Sequence, residues 1–91
     1  MTKKNSDWFV YMLECYNGKI YTGITTNVAD RFKKHSEGKG AKFTQRNKPS
    51  HILAFTVCGN RSQASKLEWK VKQLTAQQKR CLGLRWNAQH C

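Results

Sequence analysis

Acidic side chains are scarce in this chain: five Asp and Glu stand against 17 Lys and Arg among 91 residues. That shortage excludes a two-metal site built on clustered carboxylates, because Asp7, Glu14, Asp30, Glu37 and Glu68 are dispersed along the sequence. Proline occurs once and glycine six times, which leaves no composition for a long flexible linker. The four cysteines, Cys15, Cys58, Cys81 and Cys91, form no CxxC pair. Zinc-finger spacing and a disulfide framework are both missing. The apolar run from Trp8 to Leu13 stops at Glu14, too short for the core of a signal peptide or a membrane span. The expectation is a reduced, cytoplasmic protein with no membrane association.

What is present is positive charge. A net +12 and a pI near 10.0 make a small domain repel itself and seek polyanions, of which nucleic acid is the commonest. Each neutralised phosphate releases condensed counterions, so such binding weakens steeply with salt. The plainer alternative is a basic domain with no nucleic-acid partner. A hydrophobic content of 38% and three tryptophans suit one domain with a modest core, burying roughly 60–70% of the surface its unfolded chain exposes.

Residues 1–7 read as a flexible N-terminus, 8–82 as a single domain and 83–91 as a basic C-terminal tail. Residues 8–15 and 19–25 read as strands joined at Asn17-Gly18. Asn27 is a candidate N-cap for a helix to about Glu37, with Gly38 as its stop. The segment GKGAKFTQRNKP, residues 38–49, reads as a basic loop. The apolar run ILAFTVC, residues 52–58, reads as a third, central or well-covered strand. Asn60 or Ser62 starts a second helix with Ala64, Leu67, Val71 and Leu74 on one stripe. Thr75 and Gln78 form a capping box for a short third helix to about Leu82, after which GLRWNAQHC shows no period. The order ββαβαα predicts an α+β fold, a small three-stranded antiparallel sheet flanked by helices.

Two registers are open to the hairpin. A two-residue Asn17-Gly18 turn sends Tyr11 and Tyr21 to opposite faces. A three-residue loop, Tyr16-Asn17-Gly18, pairs Cys15 with Lys19, Leu13 with Tyr21 and Tyr11 with Gly23, and so puts both tyrosines on one face. The second is preferred, because it collects Trp8, Val10, Met12, Ile20, Thr22 and Ile24 into one apolar layer.

Arg31 and His35, four residues apart, border the helix face that carries Val28 and Phe32. Glu68 sits on the shoulder of the second helix's apolar stripe, where an unpaired carboxylate is costly and calls for a cation or a metal. Each has a plainer reading. The tyrosines can be packing residues with wet hydroxyls, Arg31 a snorkelling side chain, His35 a partner of the helix dipole, and Glu68 the i,i+4 partner of Lys72. Lys33, Lys34, Lys39, Lys42, Arg46 and Lys48 can be solvated, or can hold phosphates. The segment is not a P-loop, since GxxxxGK[ST] is absent.

With VYM at 10–12, YTG at 21–23, Arg31 and Glu68, the chain resembles the GIY-YIG nuclease domain. HSEGKGAKFTQRNKP, residues 35–49, is similar to the small stand-alone bacterial branch called YhbQ-like. Phe9 and Thr22 stand where the name-giving motif has Gly and Ile, and Ile24 where excision-repair members carry a lysine.

The resemblance implies phosphodiester hydrolysis in DNA, endo- or exonucleolytic, in repair or processing, with one divalent metal, Mg²⁺ or Mn²⁺. By position, Tyr11 becomes the general base, Tyr21 its helper, Arg31 the cation for transition-state charge and Glu68 the metal ligand. His35 falls near the base or the phosphate. A free phenol is ionised only about once in a thousand at pH 7, so the expectation is that Arg31, the loop lysines and a metal lower the Tyr11 pKa. RNA is a second candidate substrate, and a partner protein is a candidate source of specificity. The alternative from another class is a non-catalytic basic nucleic-acid-binding module.

Overall fold

The computed structural model describes residues 7–89, so the expected flexible N-terminus (all but Asp7), His90 and Cys91 lie outside the described residues. The order is β1 (Trp8–Cys15), β2 (Ile20–Thr25), α1 (Val28–Ser36), α2 (Lys42–Arg46), β3 (Pro49–Cys58), α3 (Arg61–Lys72) and α4 (Ala76–Gln89). The strands form one antiparallel sheet in the order β2-β1-β3.

The hairpin takes the three-residue loop. Leu13 pairs with Tyr21 and Tyr11 with Gly23. Cys15 N–H donates to the Lys19 carbonyl at 2.8 Å, and Gly18 N–H donates back to the Cys15 carbonyl at 2.9 Å. Gly18 has φ +86°, a left-handed conformation that costs a Cβ-bearing residue energy. This register sorts the side chains into two layers. Val10, Met12 and Ile20 pack with Ala54, with Ala64 and Val71 of α3 and with Trp86 of α4. Tyr11 and Leu13 pack on the other face with Val28 of α1, joined by Tyr21, Phe32 and Phe55.

Asn27 caps α1 by accepting from Asp30 N–H, and Asn60 caps α3 by accepting from Gln63 N–H. The Thr75 capping box is reciprocal, with Thr75 N–H donating to Gln78 Oε1 at 2.9 Å and Gln78 N–H to Thr75 Oγ1 at 3.1 Å.

Three expectations are corrected. The central strand is β1, and β3 is an edge strand that starts at Pro49, a place where the missing proline N–H is tolerated. The basic segment 38–49 contains a short helix, α2. The residues after Leu82 do not trail, because α4 continues to Gln89 and Trp86 is only 5% exposed. Gly83 lets that helix lie close to β3, since a Cβ there would sit 3.4 Å from Ala54 Cβ. On the hairpin side of α4, Arg80 donates to the Gly18 carbonyl at 2.7 Å and Lys79 to the Ile20 carbonyl at 3.3 Å. No helix among the described residues is long and apolar enough to cross a membrane.

Candidate active site

The shared face of Tyr11 and Tyr21 is where the site forms. Their ring centroids lie 6.2 Å apart. Gly23, opposite Tyr11, makes the room, since a Cβ there would fall 2.7 Å from the Tyr11 hydroxyl. From α1, His35 turns inward, is 1% exposed, and brings its ring centroid to 4.9 Å from that of Tyr21. Its Nε2 lies 2.9 Å from the Tyr11 hydroxyl oxygen. Arg31, one helical turn earlier, lies near enough for its guanidinium to favour the ionised form of the same phenol.

Glu68 comes from α3. Its negative charge acts on Tyr11, and its Oε2 lies 3.2 Å from Lys72 Nζ in the i,i+4 pair that the plainer reading anticipates. Both tyrosines and His35 are thus brought together, with Arg31 beside them, while Glu68 touches none of them and reaches Tyr11 only as the weakest of several electrostatic influences.

The electrostatics run against one expectation. The Tyr11 pKa is pushed up to about 12, because burial outweighs the Arg31 guanidinium, while Tyr21 and Glu68 push the same way as burial. The protein's own cations therefore do not bring this phenol down. The His35 pKa is pushed down to about 4 by burial and by the Arg31 charge. At neutral pH the pair rests as a neutral phenol on a neutral imidazole.

The candidate phosphate-holding cations are all at the surface. Lys33, Lys34, Lys39, Lys42, Arg46 and Lys48 are all exposed. Lys34 and Lys39 make only long ion pairs, 3.9 Å to Asp30 and 3.8 Å to Glu37, of the solvated kind that contributes little. Lys42, Arg46 and Phe43 of α2 join Lys19 and Asn47 around a cleft of about 520 Å³. Phe43 also packs on Tyr21, with centroids 5.8 Å apart, and borders a second cleft of about 370 Å³ with Tyr21, Lys72 and Lys79.

Lys79 escaped the sequence reading. It is buried beside Tyr21's strand, and burial and the nearby Lys72 charge lower its pKa. Thr44 escaped it too, being a buried hydroxyl inside what reads as a solvated loop. It lies 2.7 Å from His35 Nδ1. Nothing in the sequence flags either residue, since both depend on how α2 and α4 dock.

A divalent ion would have few protein ligands here. No group of three or more His, Cys, Asp or Glu among the described residues could cage one. A single carboxylate suits Mg²⁺, which keeps several waters and takes substrate phosphate oxygens rather than a full protein shell. Glu68, with its side chain 21% exposed, is a donor of that kind.

Comparison with known proteins gives the family. The model of the GIY-YIG catalytic domain matches residues 7–80. A UPF0213 protein of Cupriavidus necator is 47% identical over 76 residues, covering 84% of this chain and 83% of that protein. The UPF0213 protein YhbQ of Escherichia coli is 49% identical over 73 residues, covering 79% and 72%. Among solved structures, the solution NMR structure of a UPF0213 protein from Bacillus halodurans is 41% identical with a TM-score of 0.51, covering 84% of this chain and 81% of that one. A solution NMR structure of a protein from E. faecalis is 28% identical with a TM-score of 0.63, covering 96% and 93%. This chain belongs to the GIY-YIG family, in the UPF0213 group that includes YhbQ.

Proposed function

We propose that the protein is a metal-dependent nuclease that hydrolyses phosphodiester bonds in DNA. The observation that carries this reading is the meeting of two phenols, a guanidinium and a neutral imidazole on one face of the hairpin, within the field of the one carboxylate on α3. The family's catalytic domain covers the same residues.

In this reading Tyr11 takes a proton from the attacking water while its own proton passes to His35 across the 2.9 Å hydrogen bond. Tyr21 orients the water. Arg31 faces the charge that grows on the phosphate, where a fixed cation in a site shielded from water is most effective. Glu68 would hold one Mg²⁺ or Mn²⁺. A divalent ion bound there supplies Lewis-acid stabilisation of the phosphate and leaving oxygens. Lys72, which pairs with Glu68 at 3.2 Å in the structure, would have to yield that carboxylate to the ion.

Lys33, Lys34, Lys39, Lys42, Arg46 and Lys48 hold the backbone of the nucleic acid, DNA in the first instance and RNA as the other candidate. Among the described residues there is no recognisable reader of base edges, and specificity in this reading comes from substrate shape or from a partner protein. Repair or processing of DNA in the cytoplasm is the setting that fits. The test is Mg²⁺-dependent cleavage of branched, single-stranded and double-stranded DNA, compared between the wild type and Tyr11→Phe and Glu68→Ala.

Two observations favour a second reading, a basic nucleic-acid-binding module without catalysis. Tyr11 is only 1% exposed, and Glu68 is already paired with Lys72. That module would bind DNA with undiminished affinity after loss of Tyr11 or Glu68 and would cleave none.

A further inference from the structure

We propose that Thr44 is a positioning residue, holding His35 in the tautomer that carries its hydrogen on Nδ1 and leaves Nε2 free to take the proton of Tyr11. The inference rests on the reading above for its catalytic meaning, but the tautomer follows from donor and acceptor accounting alone.

A threonine hydroxyl has one hydrogen to give. Thr44 Oγ1 gives it to the Ala41 carbonyl, which can only accept, at 2.9 Å. Toward His35 Nδ1, 2.7 Å away, the hydroxyl therefore has only a lone pair to offer, so Nδ1 must carry the hydrogen. A neutral imidazole has one N–H, which leaves Nε2 as a bare acceptor facing the Tyr11 hydroxyl at 2.9 Å. The opposite tautomer would leave two lone pairs opposed at Thr44. It would also aim an N–H at the phenol oxygen, leaving the phenol's own hydrogen with no acceptor on His35.

The chain of donors thus runs in one direction, from Tyr11 to His35 to Thr44 to Ala41. Its first three members are buried, Tyr11 and His35 at 1% and Thr44 at 2% exposure, so water does not scramble it. Gly40 completes the clamp. A Cβ on Gly40 would fall onto the imidazole, 2.6 Å from Cε1, so only a residue without a side chain lets the backbone close over the ring. The segment that reads as a solvated basic loop therefore also sets the proton state of the site.

The test combines ¹⁵N-resolved NMR of the histidine side chains with cleavage kinetics for the wild type, Thr44→Val and Thr44→Ser. Wild type and Thr44→Ser are expected to show His35 protonated on Nδ1 alone at pH 7. Thr44→Val, which keeps the volume but removes the acceptor, is expected to lose that preference. In cleavage, kcat should fall roughly 10–100-fold in Thr44→Val, with KM little changed and the serine variant restoring the rate.

An Nδ1-protonated His35 in Thr44→Val overturns the proposal. So does an Nε2-protonated His35 in the wild type, which needs no folded variant to observe. A wild type that cleaves no DNA but shows the tautomer and its loss in Thr44→Val would refute the nuclease reading and leave the positioning role standing.

Discussion

Tyr11 and Gly23 stand directly opposite each other in the hairpin, and the Tyr11 hydroxyl occupies the space a side chain at position 23 would need. The pairing exists because Tyr16-Asn17-Gly18 is a three-residue loop. A turn one residue shorter would shift the ladder and send the two tyrosines to opposite faces. Turn chemistry, register and the placing of a phenol are one chain of causes.

Gly23→Ala should therefore be destabilising, by about 1–3 kcal/mol as for other overpacked sites. A Cβ at 2.7 Å from the hydroxyl and 2.9 Å from Cζ must push the Tyr11 ring off His35. Urea unfolding measures the loss, and His35 side-chain shifts should move with it. A neutral substitution would mean that the close approach relaxes freely.

His35 makes stability depend on acid. Its pKa is about 4 in the fold against 6.5 for a free histidine, so the unfolded chain binds more protons between those values. Stability is fully present above pH 6.5 and falls as the pH drops toward 4, by at most about 1.4 kcal/mol per pH unit from this group. Tyr11 does the reverse in alkali. Its value of about 12 against 10.0 keeps it neutral in the fold, and its contribution is lost as pH rises from 10 toward 12. Denaturant midpoints across pH 4–7 should slope in wild type and flatten in His35→Gln; equal slopes would remove His35 as the cause.

Trp86 is 5% exposed among Val10, Met12, Ala54 and Ala64, so α4 belongs to the core. Trp86→Ala should cost about 3–5 kcal/mol, and truncation after Leu82 should be at least as damaging. Thermal or urea unfolding decides. Unchanged stability would return this segment to the role of a trailing tail.

Lys42 and Arg46 project from α2 into the same cleft. If both contact phosphates, Lys42→Gln and Arg46→Gln should each lower the slope of log K against log salt by about 1, with little effect on sequence preference. Fluorescence anisotropy at several salt concentrations measures this. An unchanged slope would take α2 out of the nucleic-acid surface.

The parts that were legible in the sequence were those governed by local rules. The alternation of Trp8, Val10 and Met12 with Tyr11 and Leu13, combined with Asn17-Gly18, was enough to choose the register that the structure has. The caps at Asn27 and Thr75 announced two helices and the choice of Asn60 or Ser62 a third, of which Asn60 is the cap in the structure. Helix α2 was not legible, because five residues carry no period and Ala41 provides no side-chain cap. The length of α4 was hidden because GLRWNAQHC shows no period, while its docking on β3, with Gly83 as a contact point, is a tertiary matter. The effect of the protein's own cations on Tyr11 differs from the expectation because a sequence displays its cations but not the burial that outweighs them.

The central claim is that Tyr11 and Glu68 do chemistry rather than packing and pairing. The direct measurement is the initial rate of Mg²⁺-dependent cleavage of branched, single-stranded and double-stranded DNA by wild type, Tyr11→Phe and Glu68→Ala, with DNA affinity measured in parallel. The account predicts cleavage by the wild type and a loss of about 100-fold or more in each variant, with affinity preserved. Equal cleavage by wild type and Glu68→Ala, or tight binding without any cleavage by the wild type, would contradict it.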